Sequence, residues 1–146
     1  MRAGPGGEIP LGGQLRVASF TVLGSADIEK EIQNTGGLHV PAGQVYASEA
    51  EADGLAGWGR FQRQDPRMEA VDAKVFSSEA ATIDGTHRQG TTERNSLVHR
   101  KRGDGYGYLD KNTTALYEAA LTTTGNGDRI LPAERPVSPR AAVAGR

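Results

Sequence analysis

Three histidines, His39, His87 and His99, are the chain's only imidazoles, and no two of them stand four residues apart. The i,i+4 pairing that lets one helix face present two ligands to a metal ion is therefore missing. No serine lies in a Gly-x-Ser-x-Gly elbow, and no Gly-x-x-x-x-Gly-Lys loop offers its amides to phosphate. Asp110-Lys111-Asn112-Thr113-Thr114 sets oxygens at alternate positions, as a calcium loop does. Ala115 stands where that loop needs Gly, however, and Leu121 where it needs a bidentate Glu. Asn112-Thr113-Thr114 is a glycosylation sequon, relevant only to a secreted chain. Arg102-Gly103-Asp104 matches an adhesion tripeptide too short to be specific. The carboxylates form no recognisable acid/base pair. The expectation is a protein that is not an enzyme, with no catalytic residue, metal or cofactor.

One stretch does suggest a chemistry: Arg102-Gly103-Asp104-Gly105-Tyr106-Gly107-Tyr108-Leu109. On a strand, Tyr106 and Tyr108 share one face, with Arg100, Lys101 and Arg102 upstream to neutralise phosphates. The pattern resembles the RNA-binding strand of cold-shock and RNA-recognition domains. Gly127-Asp128-Arg129-Ile130 is similar to the closing strand of cold-shock-like barrels. The resemblance implies an OB-like module for single-stranded nucleic acid, each stacked base contributing about 1–3 kcal/mol. This sequence departs from the pattern at Asp104, where those motifs favour Lys, and in the helical segment that follows. A Gly-rich strand edge with half-buried tyrosines accounts for the same residues.

The elements that must carry these groups are short. Leu15, Val17 and Ser19 alternate with Arg16, Ala18 and Phe20, predicting a strand that runs on through Val22 and Leu23. Ser25 caps a predicted short helix over Asp27–Ile32, with Gly36 as its stop. Leu38 to Tyr46 reads as two short strands around Pro41-Ala42-Gly43, and Gly54–Gly59 as an irregular loop holding the only Trp, Trp58. Val71, Ala73 and Val75 mark another strand. Asp84-Gly85 predicts a tight turn joining Ala80–Ile83 to Thr86–Gln89. Residues 86–96 are polar throughout and fit a long surface loop or an extended arm. Leu97-Val98 and Tyr106–Leu109 are candidate short strands. Asn112 or Thr113 caps a helix over Ala115–Leu121, with Leu116/Ala120 and Tyr117/Leu121 at helical spacing and Gly125 at its end.

Composition frames these elements. Only 27 of 146 residues are Leu, Ile, Val or Phe, whereas 20 are Gly and 7 are Pro. Ordering a residue costs roughly 1.5 kcal/mol, so a core this thin does not offset folding alone. A formal charge of −1 supplies no self-repulsion to keep the chain open and no general affinity for nucleic acid. Arg88–Arg102 nevertheless carries a local charge of +4, either a solvated loop or a contact with an acidic partner surface. There is no cysteine to staple the chain.

The fold expected is mainly β, a small sandwich or barrel-like domain with one or two short helices and extended terminal arms. The domain spans 14–124. The arms are residues 1–13, with Ile9 and Leu11 as anchors, and 125–146, with Ile130, Leu131 and Val137. Those five residues and Trp58 are the expected interface. With no signal-like start and no apolar run of membrane length, the chain reads as made in the cytoplasm. The function expected is a structural subunit of a large assembly, a virus or bacteriophage particle being the leading type. Its partners would be copies of itself or other subunits, with no membrane.

Overall fold

The computed structural model describes residues 17–24, 39–51, 67, 72–98 and 105–135. Within them the chain forms strands β1 (Phe20–Leu23), β2 (Val45–Ser48), β3 (Lys74–Val75), β4 (Ala81–Ile83) and β5 (Thr86–Arg88), helix α1 (Thr114–Thr123) and a 3-10 turn over Gly127–Arg129. The content is mainly β. Strands β1, β2 and β3 pair in parallel in that order, while β4 and β5 form an antiparallel hairpin. Among the described residues these strands close neither a barrel nor a sandwich. The helix predicted over Asp27–Ile32 lies outside them.

Parallel neighbours cannot be joined by a tight turn, and here residues 24–44 and 49–73 make the two connections. Of the two strands expected around Pro41-Ala42-Gly43, the second is part of β2, whereas His39 and Val40 are not in a strand. Instead the Gln44 amide donates to the Pro41 carbonyl, closing a turn that delivers the chain into β2. All four β2 residues are buried. Val45 and Ala47 pack with Ala73 and Val40 on one face. On the other, Tyr46 lies level with Thr21 of β1, whose hydroxyl hydrogen-bonds the Thr122 hydroxyl of α1 at 2.7 Å. Leu23 closes a second small cluster with Ala50, Tyr108 and Ala115.

The hairpin turns where expected. Asp84 and Gly85 both have positive φ, 50° and 74°, the backbone twist that two-residue hairpins favour. Helix α1 begins at Thr113, whose side chain accepts the Leu116 amide, and ends at Thr124. There the Asn126 amide reaches back to the Leu121 carbonyl at 2.9 Å, a Schellman closure with Gly125 in the left-handed position.

Its buried face differs from the expected one. Thr114, Ala115, Glu118, Leu121 and Thr122 point inward, whereas Leu116 and Tyr117 are half-buried and Ala120 is exposed. Three of these five inward residues are polar, and Glu118 and Thr122 hydrogen-bond to Leu131 and Thr21 of other segments.

Two further expectations are corrected. Residues 97–98 and 106–109 are not strands. They belong to a hydrogen-bonded loop in which the Tyr106 carbonyl accepts the Thr92 and Glu93 amides, and the Tyr108 and Leu109 amides donate to Asn95 and Ser96. The buried Asp110 carboxylate takes the place of a ladder partner, accepting the Gly107 and Val98 amides at 2.8 and 3.1 Å.

Residues 131–133, within the expected C-terminal arm, run along β3. The Ser77 amide donates to the Leu131 carbonyl, the Ala133 amide donates to the Val75 carbonyl, and Phe76 bridges Pro132 in antiparallel fashion. Pro132 lacks an amide, but flanking residues supply the bonds, so it sits on this edge without a missing donor.

Two glycines separate backbone strain from space. Gly24 and Gly85 share a left-handed φ, +59° and +74°, but a Cβ on Gly24 would overlap the Tyr108 ring, whereas one on Gly85 would meet nothing within 4 Å. Gly85→Ala should therefore lose only about 1 kcal/mol of stability from its backbone. Gly24→Ala should lose about 2–4 kcal/mol, because overpacking adds to the same strain. Urea unfolding of the two variants measures the difference, and equal losses would contradict the placement of Tyr108.

Candidate functional site

Of the residues expected at an interface, Ile9, Leu11, Trp58 and Val137 lie outside the described residues, as do Arg100, Lys101 and Arg102. Ile130 and Leu131 lie in the segment that pairs with β3. The Leu131 backbone is bound to the body at both polar groups, yet its side chain remains 39 % exposed. Tyr106 is half-buried. Tyr108 is only 2 % exposed, and its hydroxyl accepts the Ala50 amide at 2.9 Å. A ring enclosed in this way cannot stack on a base. Gly107 is pressed against the Asn95 and Ser96 backbone. The expected stacking pair is thus a structural tyrosine and its neighbour on a loop. Its glycines serve close backbone packing.

Exposed apolar side chains mark the surface more directly. Phe20, Leu97, Leu109 and Leu131 stand out at 39, 59, 38 and 39 % exposure. Leu97 and Leu109 are neighbours, since the Leu109 amide donates to the Ser96 carbonyl at 2.7 Å. Phe20 opens β1, an edge strand that pairs only with β2 among the described residues. The opposite side of the sheet is covered by the segment at 131–133.

Two concave regions flank β3. A groove of about 430 Å³ lies between Lys74, Ile130, Pro132 and Arg135. Here the Lys74 ammonium sits 5.6 Å from the centre of the Tyr46 ring. Burial, and secondarily the Asp128 charge, raises the Tyr46 hydroxyl above the usual tyrosine range. A second cleft, of about 250 Å³, collects Glu49, Glu51, Glu79 and Glu134 beside Arg67, which forms an ion pair with Glu49. Neither cleft is lined by His39 or His87. Among the described residues no three His, Cys, Asp or Glu side chains are arranged to hold a metal ion, and no helix is long and apolar enough to cross a membrane.

The least expected feature is a carboxylate at the centre of the fold. Glu118 is fully buried, and its Oε2 accepts the Leu131 amide at 2.9 Å. It thereby joins α1 to the segment along β3. Burial pushes its carboxyl above the ordinary glutamate value, while the Leu131 amide and the Arg88 charge pull the other way. Arg88 belongs to the basic stretch, but its guanidinium lies 4.0 Å from the centre of the Tyr117 ring. The Tyr117 hydroxyl in turn donates to Asp84 at 3.0 Å. Part of the +4 segment is therefore folded into the body. The Thr114/Glu118 spacing, one helical turn, was the sequence signal for this polar face, although exposed residues show the same spacing.

No family model, curated protein or solved structure matches the chain.

The raised Glu118 value has a definite sign. Between its unfolded and folded values the native state holds a proton that the unfolded chain has released, so stability falls as pH rises through that window. Glu118→Gln keeps an oxygen for the Leu131 amide and carries no charge. It should melt about 3–6 °C above the parent at pH 8, with the gap closing in acid below the unfolded value. Thermal scans across pH test this, and a variant less stable than the parent at pH 8 would show that the ionised form is favoured inside.

Proposed function

We propose that the protein is a non-enzymatic structural subunit of a large assembly, with a virus or bacteriophage particle as the leading type. One observation carries the reading. Among the described residues the buried Leu, Ile, Val and Phe are Val45, Val75, Phe76 and Leu121, and as many, Phe20, Leu97, Leu109 and Leu131, are exposed. The remaining apolar core is alanine and tyrosine. Transfer of apolar surface from water stabilises by about 25 cal/mol per Å², and here much of that potential remains on the outside. Association is the process that realises it.

The arms complete the proposal. Residues 1–13 are rich in Gly and Pro, the chain beyond 135 carries Pro136, Pro139 and Gly145, and both can lie along neighbours as extended segments. Ile9, Leu11 and Val137 are their apolar anchors, and Trp58 is a further contact. The edge of β1, which pairs only with β2 among the described residues, offers amides and carbonyls to such a segment from an adjoining copy. The assembly's particular identity rests on this general type of construction, and residence in a virion follows from the same reading.

Sedimentation over a wide concentration range tests it. The intact chain should associate reversibly, and Leu97→Asp with Leu109→Asp should weaken association by about tenfold or more, since burying two leucines is worth at least 1.4 kcal/mol. Removal of residues 1–13 or 136–146 should likewise weaken association, while the melting temperature of the body, compared at concentrations where both chains are monomeric, stays near the parent's. A compact monomer at every concentration, with protease-resistant ends, sinks the reading.

A further inference from the structure

Four buried side-chain atoms among the described residues have no hydrogen-bond partner: Arg88 Nε, Thr91 Oγ1, Thr114 Oγ1 and Glu118 Oε1. They are not scattered. Arg88 and Thr91 belong to one short stretch leaving β5, and Thr114 and Glu118 stand one turn apart on the inner face of α1. The two stretches are tied directly together. The Thr114 amide donates to the Gln89 carbonyl at 2.9 Å, and the Gln89 amide donates to the Asn112 carbonyl at 2.9 Å. Arg88 lies over the ring of Tyr117, the residue before Glu118, and its charge is felt at the Glu118 carboxyl. Thr91, Thr114 and Glu118 are at most 1 % exposed.

An isolated buried polar atom costs about 1–3 kcal/mol, and native folds carry few of them. Four of them on two segments that are hydrogen-bonded to each other are a pattern that a bound molecule explains. Its chemistry follows from the surroundings. A carboxylate disfavours an anion, and a guanidinium disfavours a cation. The hydroxyls can donate or accept, whereas Arg88 Nε only donates and an ionised Glu118 oxygen only accepts. A small neutral molecule able to donate and accept at once fits all four. Water meets that description and typically makes about three such bonds when buried.

We propose that the seam between β5 and α1 is an internal hydration site. Ordered water there bridges Arg88 and Thr91 on one side to Thr114 and Glu118 on the other. The site supplies a joint that the apolar core does not. Glu118 then links three segments: through water to the residues after β5, through its own backbone to α1, and through Oε2 to Leu131.

Oxygen-17 relaxation dispersion on the full chain counts long-lived internal waters without interference from exchanging hydroxyl protons. Thr114→Val and Thr91→Val each replace a hydroxyl by a methyl of similar shape. Each should reduce the dispersion amplitude and lower the melting temperature by about 3–6 °C. The double variant should lose little more than either single one, because both remove the same water. Thr114→Ser, which retains the hydroxyl, should retain the amplitude. Should one valine variant fail to fold, the other carries the measurement. An unchanged amplitude with an unchanged or higher melting temperature would overturn the proposal, because valine relieves a hydroxyl that truly lacks a partner.

Discussion

The fold depends on satisfying polar groups inside a body that has too few apolar side chains to exclude them. Carboxylates, hydroxyls and the phenols of Tyr46 and Tyr108 occupy places where aliphatic residues usually pack. Asp110 gathers the Gly107 and Val98 amides, and Glu118 takes the Leu131 amide. Ser48 bonds the Phe76 carbonyl and the Ser78 hydroxyl, while Tyr108 receives the Ala50 amide. Each such bond contributes only about 1 kcal/mol net, yet leaving its buried partner unmade costs about 1–3 kcal/mol. An interior built this way tolerates few alternative arrangements. It specifies its geometry more strongly than it stabilises it.

This explains which parts of the fold could be read from the sequence. The β4–β5 hairpin and both ends of α1 were legible because their signals are local. Asp84-Gly85 selects a turn through its own backbone, Thr113 caps through its own hydroxyl, and Gly125 closes the helix within one turn. Strands β1 and β3 were legible from alternation, though only in part of each expected span. Parallel pairing was not legible, because the partners of β2 lie a long connection away in either direction. The loop at 105–109 misled for a related reason. Alternating Gly and Tyr reads as a strand until the surrounding backbone is known, and Asn95, Ser96 and Asp110 supply it from outside the motif.

The candidate surface was less legible. Ile130 and Leu131 were singled out as anchors, and the side chain of Leu131 is indeed at the surface. Its backbone, however, is held by Ser77 and Glu118, contacts that no local pattern announces. Leu97 and Leu109 were read as strand residues. Their exposure follows from the polar loop that holds them, in which hydrogen bonds fix the backbone without enclosing the side chains. Glu118 was hidden for the opposite reason. A glutamate in a helix ordinarily faces water, and only the Leu131 amide and Arg88, brought in by other segments, make an inward position tolerable.

A partly polar interior and large apolar side chains left at the surface are two consequences of one allocation. Leucine and phenylalanine placed at the surface cannot also stabilise the core. A neighbour that binds the folded chain and not the unfolded one adds RT ln(1 + [L]/Kd), about 2.7 kcal/mol at a concentration of 100 Kd. That increment is large beside a margin of a few kcal/mol and small beside the stability of a well-packed domain. The same surface leucines would therefore be a minor term in an apolar globule. If the chain assembles as proposed, they can decide whether the body is persistently folded, and its folding would then be coupled to association.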